Sequence, residues 1–152
     1  MTVAGPIEIF LIRQARGLGL AAQLMGGDGL ANPLFITLAS PEIAEGVYAT
    51  MVGGDMRKVS AAQDFIKLYE SKYGAIGQWS AYAYDGTNIL IQAIAKAGKK
   101  DREAVLKAMR EIPKFNGISG EVVFDEKGDN KNQFIGMFKF QNGKLEYIGP
   151  AA

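Results

Sequence analysis

The sequence contains no cysteine and no histidine. Their absence excludes thiol nucleophiles, Ser-His-Asp triads, imidazole metal sites and histidine acid–base chemistry. The lack of cysteine says little about the cellular compartment, because secreted proteins of this size often have no disulfides. None of these chemistries is therefore expected of this chain.

The net charge is close to zero, and the sequence has no long apolar run. Seventeen basic residues oppose sixteen acidic ones, so the net charge of +1 gives no electrostatic reason to expect nucleic acid or an anionic membrane as a partner. Glu8, Arg13 and Arg16 interrupt the first apolar stretch and no basic segment precedes it, so we expect no signal peptide in this chain. No window approaches the roughly 18 uncharged apolar residues of a membrane span.

The first third of the chain predicts alternating helices and strands. Apolar residues at helical spacing favour a helix over 6–18, with Pro6 in its first turn. A short buried strand follows over 22–26. Asn32-Pro33 is typical of a helix start, with a helix continuing to about residue 38. A β-rich stretch bounded by glycines predicts a second strand over 46–52.

The middle of the chain predicts three helices. Ser60 and Gln63 have capping-box spacing before a helix whose apolar face ends at Tyr73. A long helix is expected over 80–97, with Gly98 at its C-terminal end. Asp101 then caps a further helix that is ended by proline.

The last part predicts an antiparallel ribbon, with strands over 120–124, 134–140 and 144–148. Asn142-Gly143 indicates a type I′ hairpin between the last two of these strands. The order of elements is typical of a layered α/β protein, in which sheets are flanked by helices.

A carboxylate among glycines is the first candidate site. In residues 24–30 (LMGGDGL), Asp28 lies between Gly27 and Gly29, directly after a predicted strand. Glycine lets a backbone turn tightly and approach a ligand, and ligands of open α/β sheets bind beyond the carboxyl ends of strands. Asp28 is therefore a candidate partner for a cationic group, and a solvated loop carboxylate is the alternative.

A second candidate site is the aromatic segment 79–85 (WSAYAYD). Tyr82 and Tyr84 are separated by about 200° on a helix and cannot share a face. One ring can pack inward while the other, with Trp79, faces a cleft. Aromatic rings with a polar tip suit ligand sites, and core packing at a helix start is the alternative.

Residues 17–22 (GLGLAA) match the pattern G-x-G-x-x-A of dinucleotide sites. That pattern must follow a strand and open a helix, whereas here it closes a predicted helix and precedes a strand. A C-terminal helix turn is the favoured interpretation, and a nucleotide-dependent enzyme is a weak alternative.

Residues 125–129 (DEKGD) superficially suggest a calcium loop. The EF-hand pattern needs glycine at its sixth position and glutamate at its twelfth, and neither is present. We therefore predict a surface β-turn and no metal ligands.

Several segments together resemble the branched-chain amino-acid binding proteins of ABC importers. They occur in the same order along nearly the whole chain and are residues 11–20 (LIRQARGLGL), 25–30 (MGGDGL), 44–48 (AEGVY), 81–85 (AYAYD) and 117–129. The resemblance implies the type I periplasmic binding protein fold, in which two α/β lobes close on a small ligand.

The resemblance also implies an incomplete form of that fold with a C-terminal β-hairpin. Residues 1–55 would be part of the second lobe and 56–116 part of the first. Residues 117–152 would carry a crossover strand and the C-terminal ribbon. Family members are more than twice as long, and this chain corresponds to their C-terminal part.

By the same resemblance, Asp28 binds the α-ammonium of an amino acid, and Gly27 lies in the same ligand-binding loop. Tyr82 or Tyr84 lines the cleft from the other lobe. The implied partners are a branched-chain or related amino acid and a membrane permease, and the implied location is periplasmic or extracellular. The implied function is binding, so we expect a protein that is not an enzyme and that uses no metal and no other cofactor.

The absent segments would supply the groups that bind the ligand carboxylate, so we expect impaired binding. Uncovered apolar faces and sheet edges predict a homo-oligomer, including a domain-swapped dimer. The alternative function is a sensory or assembly module that kept the scaffold and lost the ligand.

Overall fold

The computed structural model describes residues 7–32 and 34–151, which form an α/β structure. Pro6 and Pro33, predicted for first helical turns, lie outside the described residues. The helices are α1 (Ile7–Gly17), α2 (Leu34–Ala39), α3 (Pro41–Ala44), α4 (Gln63–Tyr73), α5 (Ser80–Ala97) and α6 (Arg102–Arg110). The strands are β1 (Met25–Gly26), β2 (Tyr48–Val52), β3 (Phe115–Gly117), β4 (Gly120–Val122), β5 (Ile135–Gln141) and β6 (Lys144–Pro150).

The chain divides into two compact units. Unit 1 contains the described residues up to Gly54 and from Phe134 onwards, and unit 2 contains Asp55–Gln133. Unit 1 is therefore built from two stretches of chain that are distant in sequence.

Unit 1 contains a four-stranded sheet in the order β1-β2-β5-β6. Strand β1 pairs in parallel with β2, whereas β5 is antiparallel to both β2 and β6. Alternate residues of β2 and β5 face the core, so Ala49 and Phe138, which are register partners, are both buried. Helix residues such as Phe35 pack on this face. The ring centroid of Phe35 lies 4.6 Å from that of Phe140.

The turn between β5 and β6 has the geometry that the sequence predicts. Asn142 and Gly143 both have positive φ, 53° and 71° respectively. A type I′ turn requires positive φ at both central residues, which asparagine and glycine tolerate best. The predicted hairpin is confirmed.

Gly19, two residues after the end of α1, closes that helix. Gly19 has φ 78° and its N–H donates to the carbonyl of Arg16 (3.0 Å), while Leu20 N–H donates to Ala15 (2.9 Å). This pair of bonds is the Schellman arrangement of a helix C-terminus. The C-terminal turn is thus confirmed, and the context that a dinucleotide site requires is missing here.

Unit 2 contains α4, α5, α6 and the two-stranded sheet β3–β4. The ends of its helices follow local sequence signals. Gly98 adopts the left-handed conformation at the end of α5, with φ 65°. Asp101 Oδ1 accepts from Ala104 N–H (2.8 Å) at the start of α6, as a capping aspartate does.

The predicted capping box at Ser60 is wrong. Two short 3₁₀ helices, Met56–Lys58 and Ser60–Ala62, precede α4, and no side chain caps that helix. The side-chain amide of Gln63 instead donates to the backbone carbonyls of Arg57 (2.8 Å) and Val59 (2.9 Å). These two bonds hold Gln63 away from the reciprocal contact that a capping box needs.

Other boundaries differ by a few residues. Strand β1 covers only Met25–Gly26 of the predicted 22–26, because only these residues pair with β2. Helix α3 and strand β3 were not predicted from sequence. The 125–129 turn is confirmed: Asp125 Oδ1 accepts from the N–H groups of Lys127 (2.8 Å) and Asp129 (2.9 Å).

Within residues 7–32 and 34–151, none of the helices has both the length and the apolar character needed to cross a bilayer.

Candidate functional site

The Asp28 loop is a tight turn directly after β1. Leu30 N–H donates to the carbonyl of Gly27 (3.0 Å), and Ala31 N–H donates to the carbonyl of Asp28 (3.1 Å). The Asp28 side chain bends back, and its Oδ1 accepts from Gly29 N–H (2.9 Å). The carboxylate is therefore held in one orientation while Asp28 remains half-buried.

The glycine before this turn is required by close packing. A Cβ on Gly26 would lie 2.7 Å from Leu30 Cδ2, and Leu30 is fully buried. A Cβ on Gly27 would meet no atom within 4 Å, and Gly27 is exposed. Gly26 thus allows the loop to pack on Leu30, whereas the backbone of Gly27 is open to solvent or to a ligand.

The loop lies at the carboxyl end of a parallel strand pair. Gly26, the last residue of β1, is the register partner of Ala49, and β2 continues to Val52. The Thr50 hydroxyl donates to the carbonyl of Gly26 at 3.5 Å, next to the loop. This is the edge at which α/β proteins place ligands, so an oriented carboxylate here can accept hydrogen bonds from a cationic group.

Tyr82, in the first turn of α5, is half-buried beside Trp79. Their ring centroids are 6.1 Å apart with the planes tilted by 54°. Burial, and secondarily the negative charge of Asp85, raise the pKa of the Tyr82 phenol above its ordinary value. Tyr82 therefore stays a neutral hydrogen-bonding group throughout the physiological range.

Tyr84 packs on a different partner. Its ring lies 4.7 Å from that of Phe65 in α4, and 47% of the residue is exposed. Tyr82 and Tyr84 thus have separate ring partners, as their angular separation on the helix predicts. Tyr84 is thus partly packed on α4 and partly open to solvent.

Sequence reasoning missed the role of Asp85. Its carboxylate is 2% exposed and accepts from Ile118 N–H (3.0 Å), Ser119 N–H (2.7 Å) and the Ser119 hydroxyl (2.5 Å). The signal was present, since Asp85 falls on the buried face of α5 together with Ala81 and Ile89. A carboxylate on a buried helix face needs hydrogen-bond donors. Here the connection between β3 and β4 supplies them.

The predicted ligand contacts fall into two groups. Gly27 and Asp28 share one turn in unit 1, whereas Tyr82 and Tyr84 share the first turns of α5 in unit 2. In the part of the chain that the structure describes, no three acidic side chains are placed to hold a metal ion.

Comparisons with known proteins agree on one family. The sequence profile described as periplasmic binding protein matches residues 1–144. The Leu/Ile/Val-binding protein homolog 1 of Brucella abortus is 36% identical over 141 residues, which are 91% of this chain and 38% of the relative. A leucine-, isoleucine-, valine-, threonine- and alanine-binding protein of Pseudomonas aeruginosa is 33% identical, over 80% of this chain and 32% of the relative.

Solved structures lead to the same family. A leucine-binding protein of Thermotoga maritima superposes with a TM-score of 0.83 at 31% identity, over 95% of this chain and 41% of that one. A branched-chain amino-acid transporter substrate-binding protein of Streptococcus pneumoniae, in complex with isoleucine, gives 0.76 at 26% identity, over 93% and 41%. The chain thus spans between about a third and two fifths of the length of these relatives.

Proposed function

Because the chain belongs to the periplasmic binding protein family, we propose that it is part of an amino-acid-binding protein of an ABC importer. Its ligand would be a branched-chain or related amino acid, since the relatives' names specify leucine, isoleucine and valine. Its macromolecular partner would be the importer's membrane permease, and its location periplasmic or extracellular. The fold is the type I periplasmic binding fold, present over a partial chain.

Asp28 is the residue that carries the proposal. An amino acid presents an ammonium group, and a carboxylate is its natural hydrogen-bonding partner. The Asp28 carboxylate is oriented by Gly29 N–H and lies beyond the carboxyl end of β1. In this proposal it binds the α-ammonium, and the exposed backbone at Gly27 lets the ligand approach closely.

Tyr82 and Tyr84 would supply the aromatic part of the site. A branched side chain gains free energy by leaving water for apolar surface, about 25 cal/mol per Å². Tyr84 is 47% exposed, and Tyr82 places a half-buried ring beside Trp79. Neither role requires a cofactor or a chemical step, so the proposed activity is binding alone.

We assign residues 1–55 to the second lobe of the family fold, 56–116 to the first, and 117–152 to a crossover and the C-terminal ribbon. The portion of the relatives that this chain does not match would contribute groups that pair with the ligand carboxylate. An unpaired carboxylate costs binding free energy, so we expect weak affinity for this chain by itself.

Calorimetric titration with leucine, isoleucine and valine tests the proposal. The titration should give a measurable heat and a dissociation constant in the millimolar range. This corresponds to a binding free energy of about −4 kcal/mol. Asp28→Ala and Asp28→Asn should abolish the signal, whereas Asp64→Ala, a fully solvated carboxylate on α4, should leave it unchanged. No heat at millimolar ligand from the unsubstituted chain would contradict amino-acid binding.

A second candidate function is an assembly or sensory module without ligand binding. Strands β1 and β6 form the two edges of the four-stranded sheet of unit 1 in the described structure, and an edge strand can pair with a second copy. A homo-oligomer, including one with exchanged elements, would follow. Sedimentation and calorimetry of Asp28→Ala together separate the two functions: self-association should persist without the carboxylate, whereas any amino-acid binding of the unsubstituted chain should be lost.

A further inference from the structure

The sequence contains two Asn-Gly pairs, and the structure places them in different surroundings. Asn142-Gly143 is the turn between β5 and β6, whereas Asn116-Gly117 lies within β3. Both asparagines are exposed, so access to solvent does not distinguish them. The amino-acid binding proposed above uses neither pair.

An Asn-Gly pair can undergo an intramolecular reaction. The backbone nitrogen of the glycine loses its proton and attacks the Cγ of the asparagine, where a C–N bond forms. The side-chain NH₂ takes up a proton and leaves as ammonia, and the product is a cyclic succinimide. Water then opens the ring at either carbonyl group and gives aspartate or isoaspartate. Glycine favours this reaction because no Cβ shields its nitrogen.

The Asn142-Gly143 pair has the freedom that ring closure requires. The strand register pairs Gln141 with Lys144, so both turn residues lie outside the ladder. Gly143 is exposed, and a Cβ on it would meet no atom within 4 Å. Across residues 7–32 and 34–151, no group accepts from the Gly143 N–H and none bonds to the Asn142 side-chain amide. The nitrogen and the carbon that it attacks can therefore approach each other without breaking a hydrogen bond.

One hydrogen bond anchors this turn from outside the hairpin. Asn142 N–H donates to Glu45 Oε2 at 3.0 Å. The bond holds the peptide group before Asn142 and leaves the one after it, which carries the attacking nitrogen, without a restraint. A carboxylate formed at position 142 lies near that of Glu45, and like charges repel. The reaction therefore weakens the anchor.

The Asn116-Gly117 pair is held in place. Gly117 is the register partner of Gly120 and belongs to the ladder of β3 and β4. The Asp85 carboxylate packs against Gly117 and accepts from Ile118 N–H (3.0 Å). Its negative charge also disfavours the loss of a proton from the nitrogen of Gly117. Ring closure at Asn116 therefore requires β3 to open first.

We propose that Asn142 is a site of spontaneous, non-enzymatic deamidation in the folded protein and that the fold protects Asn116. Each event lowers the formal net charge of +1 by one unit. Isoaspartate also adds a main-chain atom between Gln141 and Gly143, and hairpin register depends on the length of the turn. The modification therefore acts on unit 1 at the tip of its β5–β6 hairpin.

Trypsin separates the two sites, because it cleaves after lysine. Asn142 falls in the peptide 140–144 (FQNGK), and Asn116 falls in the peptide 115–127 (FNGISGEVVFDEK). The purified chain is incubated at constant pH and temperature, either folded or unfolded in urea. Mass spectrometry then follows the exchange of NH₂ for OH in each peptide, and a brief digestion of the chain before incubation gives the starting value.

In urea the two asparagines should react at rates within about threefold of each other, because the same dipeptide is then exposed at both sites. In the folded chain Asn142 should react at least about tenfold faster than Asn116. Ser119→Ala removes one of the hydrogen bonds to Asp85. This variant should raise the rate at Asn116 and leave the rate at Asn142 unchanged.

Equal rates at the two sites in the folded chain would overturn the proposal, and so would a faster reaction at Asn116. Reaction of Asn142 in urea but not in the folded chain would also overturn it, because the turn would then protect its own asparagine. An unchanged rate at Asn116 in Ser119→Ala would contradict the protection that we assign to Asp85.

Discussion

Asp85 and Gly117 are packed so closely that no side chain can stand between them. A Cβ on Gly117 would lie 2.2 Å from Asp85 Oδ2, well inside van der Waals contact. The same carboxylate accepts from the N–H groups of Ile118 and Ser119 and from the Ser119 hydroxyl. The start of the connection between β3 and β4 is thereby tied to the first half of α5, which also carries Tyr82 and Tyr84.

Replacing Asp85 should destabilise unit 2 strongly. In the folded chain both carboxylate oxygens of Asp85 accept hydrogen bonds from N–H groups. Asp85→Asn replaces one of these oxygens with an NH₂ group, which cannot accept, so at least one buried hydrogen bond is lost. We expect a loss of about 2–3 kcal/mol in the free energy of unfolding. Ser119→Ala removes only the hydroxyl donor and should cost about 1 kcal/mol. Urea unfolding followed by circular dichroism measures both, and equal stabilities for the two variants would contradict the role of Asp85.

Adjacent glycines before Asp28 should respond differently to alanine. Gly26→Ala places a Cβ 2.7 Å from the buried Leu30 and should cost about 1–3 kcal/mol. Gly27→Ala meets no atom within 4 Å and should change stability by less than about 0.5 kcal/mol. Thermal unfolding of the pair checks the prediction. Similar losses for both would show that the loop is not shaped by packing on Leu30.

Tyr82 should contribute to loss of stability at alkaline pH. Its pKa is raised in the folded chain, chiefly by burial and then by Asp85, so the unfolded chain loses the phenol proton first. Stability is therefore complete below the ordinary tyrosine pKa of about 10 and falls as pH rises through the folded value.

The test is the free energy of unfolding of Tyr82→Phe at about pH 8 and about pH 11. The decrease between the two pH values should be smaller than in the unsubstituted chain. Tyr73→Phe serves as the control, because Tyr73 is 73% exposed. In this variant the free energy of unfolding should decrease as much as in the unsubstituted chain. An unchanged decrease in Tyr82→Phe would contradict the prediction.

Gly136 is the position in the sheet of unit 1 least able to accept a side chain. A Cβ there would lie 2.1 Å from the carbonyl oxygen of Gly53, which is backbone and cannot rotate away. Gly136→Ala should cost about 3 kcal/mol or more by separating β2 from β5. Gly86→Ala is the opposite case: Gly86 lies inside α5 with no atom in the way, so alanine should stabilise by about 0.5–1 kcal/mol. Denaturant midpoints of the two variants should therefore shift in opposite directions.

The elements predicted correctly from sequence are those whose signals are local. Asn142-Gly143 needs only its own φ preferences to form the hairpin turn, and Asp101 needs only a partner three residues away. Gly98 and Gly19 similarly end their helices by adopting positive φ. Such signals survive folding because no distant residue competes for the same groups.

The missed features depend on distant partners. Asp85 finds its donors 33 and 34 residues later, at Ile118 and Ser119. Gln63 was misassigned because backbone carbonyls of the preceding turns accept its amide in place of a capping contact. Spacing alone cannot rank two possible partners for one polar group.

For the candidate site, the sequence predicted the Asp28 turn, and the ligand contacts of Asp28, Gly27, Tyr82 and Tyr84 stay a prediction.

The pairing of β2 with β5 has a consequence for biosynthesis. Val52 pairs with Ile135, and the whole of unit 2 is translated between them. Closing so long a loop is entropically unfavourable and slows formation of non-local strand pairs. On the ribosome, α1, β1 and β2 therefore emerge long before β5, the strand that joins β2 to β6. Unit 2 can fold first, and the sheet of unit 1 is completed only after β5 and β6 have been synthesised.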